Sequence, residues 1–284
     1  MGNIKRVSSL LLLVWMMSCS KEKSVENGPN SGITLGNNCR VNTIIAADSL
    51  TGAGSYSLFT NFNATGQATK IEAFDSINAN LDASATLTYS GDTIRISAAE
   101  YFVTDANKRV SKYLSLVDPA DPASDQFIYS YTYDGGGYLI GKTLSVKSIP
   151  LPLVNFTYTW TGGNLVKIDG QSTVPGFTQK VLSSDLEYDA SKSAKNFIQV
   201  FPDGFESFFY VMALDFGKKS KNVVSKINMV TYDDQGAPAN TYNTTITNLK
   251  FSNDGYLLEW YAAGDSFDAL GIFSGRTLFK YKCY

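Results

Sequence analysis

The sequence predicts an all-β protein, an antiparallel hairpin meander whose sheet is strongly curved or barrel-like. Apolar or aromatic residues alternate with polar ones along many short segments of the 284-residue chain, and glycine or aspartate follows most of these segments. Such alternation places successive side chains on opposite faces of a strand, and the glycines allow tight turns. Because about 14 strands in an open sheet would leave long unpaired edges, we expect the sheet to curl or close.

Residues 154–168 (VNFTYTWTGGNLVKI) contain the clearest hairpin. Its first half alternates large apolar side chains with Asn and Thr, which is typical of a half-buried strand. Gly162 and Gly163 can adopt the positive φ values that a two-residue turn requires. Residues 165–168 then begin the returning strand.

The same pattern recurs along most of the chain. It is found in residues 59–74, 85–97, 101–116, 127–146 and 249–261. The aromatic residues that precede successive turns are mostly about 27 residues apart, which is enough for two strands and two turns. Residues 118–125 (DPADPASD) are predicted to be a loop, and residues 206–216 a short helix that is closed by Gly217.

Residues 1–18 have the layout of a secretory signal peptide, in which Lys5 and Arg6 precede a short apolar run. The ending MMSC resembles a bacterial lipobox, and this resemblance implies that lipid is attached to Cys19 after cleavage. Residues 19–38 are rich in Ser, Asn, Gly and charge, so they are predicted to form a flexible tether. The alternative is an ordinary signal peptide that is cleaved elsewhere.

Residues 39–284 are predicted to form a single β domain, with Cys39 and Cys283 at its two ends. Exported proteins usually pair such cysteines, so a disulfide is predicted to join the first strand to the last. The residues expected to share the apolar faces of these two strands are Cys39, Val41, Thr43 and Ile45, and Phe279, Tyr281 and Cys283. Two buried free thiols are the alternative.

The composition excludes several function classes. The chain contains no histidine, which excludes Ser-His-Asp and Cys-His catalysis and histidine metal sites. The formal net charge is −2, and no basic stripe is present, so nucleic acid is not an expected partner. The sequence predicts no cofactor and no metal site.

A hydrolase that uses two carboxylates, such as a glycosidase, is an alternative function. The acidic candidates are Glu187, Asp189, Asp233, Asp234, Glu259 and Asp265. Most of them lie at predicted turns, where aspartate accepts hydrogen bonds from the local backbone. We therefore assign no catalytic residue from the sequence.

Aromatic side chains are abundant, with 17 Tyr and 17 Phe. Trp160, which lies beside a predicted turn, and the pair Trp260 and Tyr261 are candidates for an exposed ligand-binding platform. The alternative is that they pack in the core, as alternating aromatic residues on strands usually do.

An integral outer-membrane β-barrel is a further alternative, because alternating strands are also its signature. The predicted strands are closer to about eight residues than to the nine to eleven that cross a bilayer. Lys280 and Lys282 also lie at alternate positions of the last strand, where insertion signals of such barrels have apolar residues.

Three short motifs resemble the Asp-Ser/Thr-aliphatic sites of protein O-glycosylation in Bacteroidota. They place the modified hydroxyl groups at Ser49, Ser76 and Thr93.

The segments YTYDGGGYLIGK (131–142) and LKFSNDGYLLEW (249–260) resemble the tyrosine-aspartate repeats of secreted bacterial proteins. Together with the lipobox, they make the chain similar to uncharacterised lipoprotein families of Bacteroidota, domains of unknown function described as β-rich and porin-like. The resemblance implies no activity. We expect a non-enzymatic lipoprotein on the periplasmic or cell-surface face of the outer membrane, with a glycan, lipid or partner protein as its ligand.

Overall fold

The computed structural model describes residues 32–47, 56–75, 80–149, 151–203, 207–265, 272 and 274–284. In these ranges the chain is all-β, as predicted: one antiparallel sheet of seventeen strands is nearly closed into a barrel. The strands are β1 (Cys39–Ala47), β2 (Tyr56–Phe62), β3 (Ala68–Asp75), β4 (Asn80–Thr86), β5 (Thr88–Ser90), β6 (Thr93–Arg95), β7 (Tyr101–Thr104), β8 (Val110–Leu116), β9 (Gln126–Tyr133), β10 (Leu139–Val146), β11 (Pro152–Thr161), β12 (Asn164–Ser172), β13 (Lys180–Ser193), β14 (Asn222–Tyr232), β15 (Pro238–Phe251), β16 (Leu257–Gly264) and β17 (Gly275–Cys283).

Nearly every strand pairs with its neighbours in sequence, and β1 pairs with β17 to complete the circle. The exception is β4 and β5, which follow each other with only Leu87 between them and, within the described residues, do not pair with each other. In the described part of the chain, β4 pairs with β3 on one edge and β5 pairs with β6 on the other. The second edge of β4 is therefore open, and it leaves a gap in the barrel wall that faces β8.

One end of the barrel contains both termini of the sheet, and we call it the disulfide end. Cys39 and Cys283 form the predicted disulfide there, which confirms the pairing of the first strand with the last. The prediction of which β1 residues share the apolar face is only partly confirmed. The register shifts between Val41 and Thr43, so Ile44 and Ala46 are buried, whereas Ile45 is half-buried.

The connection between β13 and β14 enters the barrel from the disulfide end and fills its middle. We call residues 194–203 and 207–221 the plug. Ring contacts join the plug to the wall at Phe197 with Trp260 and Phe279, Phe201 with Tyr158, Tyr210 with Phe102 and Tyr113, and Phe216 with Tyr131. These partners lie on β7, β8, β9, β11, β16 and β17, so the plug packs against the inner face of the sheet.

The predicted helix is shorter than expected. Within the described residues, helix α1 spans Ser207–Val211, so Gly217 does not close it. Gly217 has a φ of 89° because it lies in a turn, where its N–H donates to the Asp215 carboxylate. Among the described residues, no helix is both long and apolar enough to span a membrane.

The outer face of the barrel is mainly polar, and Leu81 on β4 and Ile140 on β10 are exposed apolar exceptions. In β11, Phe156 and Tyr158 are buried, whereas Asn155, Thr157 and Thr159 are exposed. Ion pairs also connect neighbouring strands, and they include Lys180–Asp169, Lys226–Glu187, Lys250–Glu259 and Arg276–Glu259. The alternation predicted from the sequence thus places the apolar face inside the barrel and the polar face outside.

The chain reaches the barrel at the disulfide end. The signal peptide, Cys19 and most of the predicted tether lie outside the described residues. At the end of the tether, the N–H groups of Leu35 and Gly36 donate to the Asp254 carboxylate, and the N–H of Asn253 donates to the Ile33 carbonyl. These hydrogen bonds hold residues 33–36 against the β15–β16 turn.

Candidate functional site

The gap in the barrel wall opens into a cavity of about 680 Å³, which we call the wall cleft. One side is the open edge of β4 at residues 83–85, and the other is formed by β8 and β9. Residues 96–100 form its closed end, and α1 of the plug forms its floor. The cleft lies toward the end of the barrel opposite the disulfide.

Aromatic residues on three neighbouring strands line the interior of the wall beside the cleft. The register pairs Phe102 with Tyr113 and Tyr113 with Tyr129, so the three rings form a row. The centroids of the first two rings are 4.5 Å apart and the planes differ by 17°, and the next pair is 5.5 Å apart at 27°. Tyr113 and Tyr129, together with half-buried Phe127, reach the cleft itself.

Glu100 lies among these rings and is half-buried. The hydroxyl groups of Tyr113 and Tyr210 both donate to its Oε1 atom, at 2.6 Å each. Burial, followed by the nearby Tyr210 and the Glu100 carboxylate, raises the pKa of Tyr113, so its hydroxyl remains a donor at neutral pH. Glu100 Oε2 has no hydrogen-bond donor within the described ranges, so it can accept one from a ligand.

The chemistry of the cleft suits binding better than hydrolysis. Aromatic rings can pack against apolar faces of a ligand, and an ionised carboxylate is a strong acceptor for hydroxyl groups. Of the described residues that line the cleft, Glu100 is the single carboxylate, whereas a glycosidase needs two. No group of three or more Cys, Asp or Glu side chains converges in the described parts of the chain.

A second cavity, of about 510 Å³, lies at the disulfide end between the plug, the start of β1 and the β2–β3 turn. We call it the lumen cavity. Arg40, Asp215, Lys219 and the C-terminal Tyr284 supply its titratable groups. The two cavities share no lining residue.

The three aromatic residues predicted to bind a ligand are not brought together. Trp260 has no exposed surface, since it points into the core against Phe197 and Phe279, so its assignment to an exposed platform is wrong. Tyr261, the next residue along β16, is half-buried and lies on the opposite face. Trp160 is half-buried at the disulfide end, where its Nε1–H donates to the Leu139 carbonyl.

The predicted modification sites are only partly described. Thr93 is half-buried at the start of β6, and its hydroxyl lies 3.4 Å from the Asp92 carboxylate. Ser49 and Ser76 lie outside the described residues, as does Cys19. O-glycosylation at all three positions therefore stays a prediction.

None of the acidic candidates from the sequence is among the described residues that line the cleft. Glu187 and Glu259 form ion pairs on the outer face of the barrel. Asp189 lies in β13, where the register shifts, and accepts a hydrogen bond from the N–H of Ser191. Asp233 accepts hydrogen bonds from the backbone of its own turn, and Asp265 accepts one from the N–H of Asn243. These contacts agree with the structural role that turn chemistry predicts for aspartate.

The comparisons with known proteins support the fold. No protein-family model matches the sequence, and no curated protein is similar to it. A porin-like protein from Bacteroides uniformis has a similar structure, with a TM-score of 0.59, 12% identity, and coverage of 84% of this chain and 96% of that chain. A porin-like protein from Bacteroides vulgatus gives a TM-score of 0.54 at 15% identity, with coverage of 86% and 99%. The chain therefore has the fold of these porin-like proteins.

Proposed function

We propose that the protein is a non-enzymatic lipoprotein of the cell envelope, anchored through Cys19, which binds a glycan in the wall cleft. The observation that carries the proposal is the combination of aromatic rings with a half-satisfied carboxylate at Glu100. Sugars present apolar C–H faces that pack on aromatic rings and hydroxyl groups that donate to carboxylates. A lipid tail would use the rings but would leave the Glu100 oxygen without a donor.

The polar outer face supports a barrel that lies in water. A membrane-spanning barrel has an apolar band about 25 Å tall on its outside and a polar inside. This barrel has the opposite arrangement: its apolar face surrounds the plug, and its outer face carries threonine, asparagine and ion pairs. We infer that the lipid, and not the sheet, attaches the protein to the membrane.

The position of the tether supports a cleft that faces away from the membrane. Residues 33–36 bind the β15–β16 turn at the disulfide end. The tether that the sequence predicts would span roughly 20 Å between Cys19 and residue 32. The disulfide end would therefore lie near the membrane, and the wall cleft would point toward the surroundings from which a glycan arrives.

The test is calorimetric titration of the protein with a panel of soluble neutral and acidic oligosaccharides. We expect at least one to bind, and we expect Glu100→Gln to weaken its affinity roughly tenfold to a hundredfold, which is the 1.5–3 kcal/mol of a hydrogen bond to a charged group. Phe127→Ala should also weaken binding, because it removes a ring from the cleft. Glu72→Gln, on the outer face of β3, is the matched control and should leave the affinity unchanged.

Binding that is insensitive to Glu100→Gln and Phe127→Ala but lost in Trp160→Ala would move the site to the disulfide end. Cleavage of an oligosaccharide during the titration would favour the two-carboxylate hydrolase. Absence of binding across the panel would reject the glycan proposal.

A further inference from the structure

Two cationic side chains, Arg40 and Lys219, line the lumen cavity, and neither belongs to the wall cleft or the tether. Arg40 follows Cys39 at the start of β1, and its Nη1 donates to the Gly66 carbonyl at 3.2 Å. Lys219 comes from the end of the plug and points into the cavity. Its side chain keeps a large exposed surface, because the cavity is only partly enclosed by protein.

Lys219 has neither a hydrogen-bond partner nor an ion-pair partner among the residues that the structure describes. The carboxylate of Asp215 is close enough to attract it, but Oδ1 of that carboxylate already accepts the Gly217 N–H at 2.7 Å. Arg40 likewise forms no ion pair with a described residue. Among the described side chains that line the cavity, Arg40 and Lys219 are therefore cationic and Asp215 is the one acidic group.

The surroundings of Lys219 favour its neutral form. Desolvation, together with the Arg40 guanidinium, lowers the pKa of Lys219 to about 8 from its ordinary 10.5, while Asp215 opposes the change. Burial also raises the pKa of the neighbouring Tyr284 hydroxyl, which therefore stays neutral and can donate. A bound anion would offset the repulsion between the two cations.

We propose that the lumen cavity binds a small oxyanion of the phosphate type, with Arg40 and Lys219 as the cations that contact it. Guanidinium groups bind phosphate oxygens through paired donors, and an ammonium adds a compact charge. The cavity, at about 510 Å³, has room for an organic group attached to the oxyanion. The anion is either a free phosphate compound or the headgroup of a membrane lipid.

The alternative in which the anion is a lipid headgroup rests on the proposed lipid anchor, because only that anchor would bring the disulfide end close to a bilayer. The oxyanion site itself depends only on Arg40 and Lys219. Failure of glycan binding in the wall cleft would leave it untouched, since the two cavities have no lining residue in common.

Pyridoxal 5′-phosphate tests the site directly, because it carries both a phosphate and an aldehyde. At pH 7.5 the Lys219 amine adds to the aldehyde and releases water, and borohydride reduces the resulting imine to a stable secondary amine that peptide mapping locates. Roughly a quarter of an amine with a pKa near 8 is unprotonated at this pH, compared with about one in a thousand for an ordinary lysine. We expect Lys219 to be labelled about tenfold faster than any other lysine.

The controls separate anion binding from simple reactivity. Pyridoxal without phosphate should label Lys219 about tenfold more slowly than the phosphate ester, and Arg40→Gln should abolish that difference. Lys218→Gln is the matched control, because the Lys218 ammonium lies over the Tyr138 ring, and this change should leave labelling of Lys219 unaltered. Circular dichroism of each variant confirms that it is folded.

Protection experiments identify the source of the anion. Slower labelling in millimolar inorganic phosphate supports a free phosphate compound. Protection by vesicles of phosphatidylglycerol, without protection by inorganic phosphate, supports a lipid headgroup. Equal labelling by pyridoxal and its phosphate ester, or labelling spread over surface lysines, would overturn the proposal.

Discussion

Lys142 and Asp203 form an ion pair in the middle of the barrel, and each side chain is only 2% exposed. Lys142 belongs to β10 and Asp203 to the plug, so the pair fixes the plug to the wall. The Tyr158 hydroxyl donates to the same carboxylate oxygen at 2.7 Å, and the ammonium lies 4.6 Å from the centre of the Phe156 ring. Desolvation of both charges is offset by these surrounding contacts.

Removal of one partner should therefore be costly. We expect Lys142→Met to lower the free energy of unfolding by about 3–5 kcal/mol, because Asp203 would remain as an uncompensated buried charge. The double variant Lys142→Met, Asp203→Leu should regain most of that loss. Urea unfolding followed by circular dichroism measures both values.

The matched control is Lys226→Met, which breaks the exposed ion pair with Glu187 on the outer face. That change should cost less than about 1 kcal/mol, since exposed pairs are screened by water. If Lys142→Met were no more destabilising than this control, the buried pair would not be what holds the plug.

At the scale of elements, the β11–β12 hairpin shows what local sequence can determine. Thr161 and Asn164 pair directly across a two-residue turn formed by Gly162 and Gly163. Their φ values are 60° and 82°, which L-residues with a side chain rarely adopt. These values identify the turn that alternation and the two glycines predicted.

Substitutions at Gly162 and Gly163 test whether the turn requires positive φ values or glycine itself. We expect Gly162→Asn to retain the stability of the wild type, because Asn-Gly is the preferred pair in such turns. Replacement of both glycines by alanine should lower the free energy of unfolding by about 1–2 kcal/mol for each residue. Thermal and urea unfolding of the two variants measure the difference, and equal stability would contradict the assigned turn.

The plug was not predictable by the same reasoning. A strand shows a period of two because only one of its faces is buried, whereas the plug packs irregularly inside the barrel and shows no period. The dense apolar run within residues 206–216 therefore resembles a helix in the sequence, although the helix in the described part of the plug spans Ser207–Val211.

The wall cleft could be predicted only in part. Alternation along β9 places Tyr129 on the buried face, as the sequence indicates. Glu100 and Tyr210, in contrast, are 110 residues apart and meet only because the plug folds back into the barrel. Lys219 and Arg40 are brought together in the same way, so no local pattern could reveal either site.

At the scale of the whole molecule, one nearly closed circle of strands determines where each proposed site lies. The β1–β17 pairing and the Cys39–Cys283 disulfide join the two ends of the sheet at the same end that receives the tether. The lumen cavity opens at that end, and the wall cleft lies toward the other. The polar outer face leaves the N-terminal lipid as the proposed attachment to the membrane.

Detergent phase separation of cell membranes is the most direct test of attachment through the N-terminal lipid with the barrel in water. The wild type and Cys19→Ala are compared in the native host. We expect the wild type to enter the detergent phase through the proposed lipid on Cys19. We expect the variant to enter the aqueous phase, because its barrel exposes mainly polar residues. Recovery of Cys19→Ala in the detergent phase would contradict both the anchor and the water-exposed barrel.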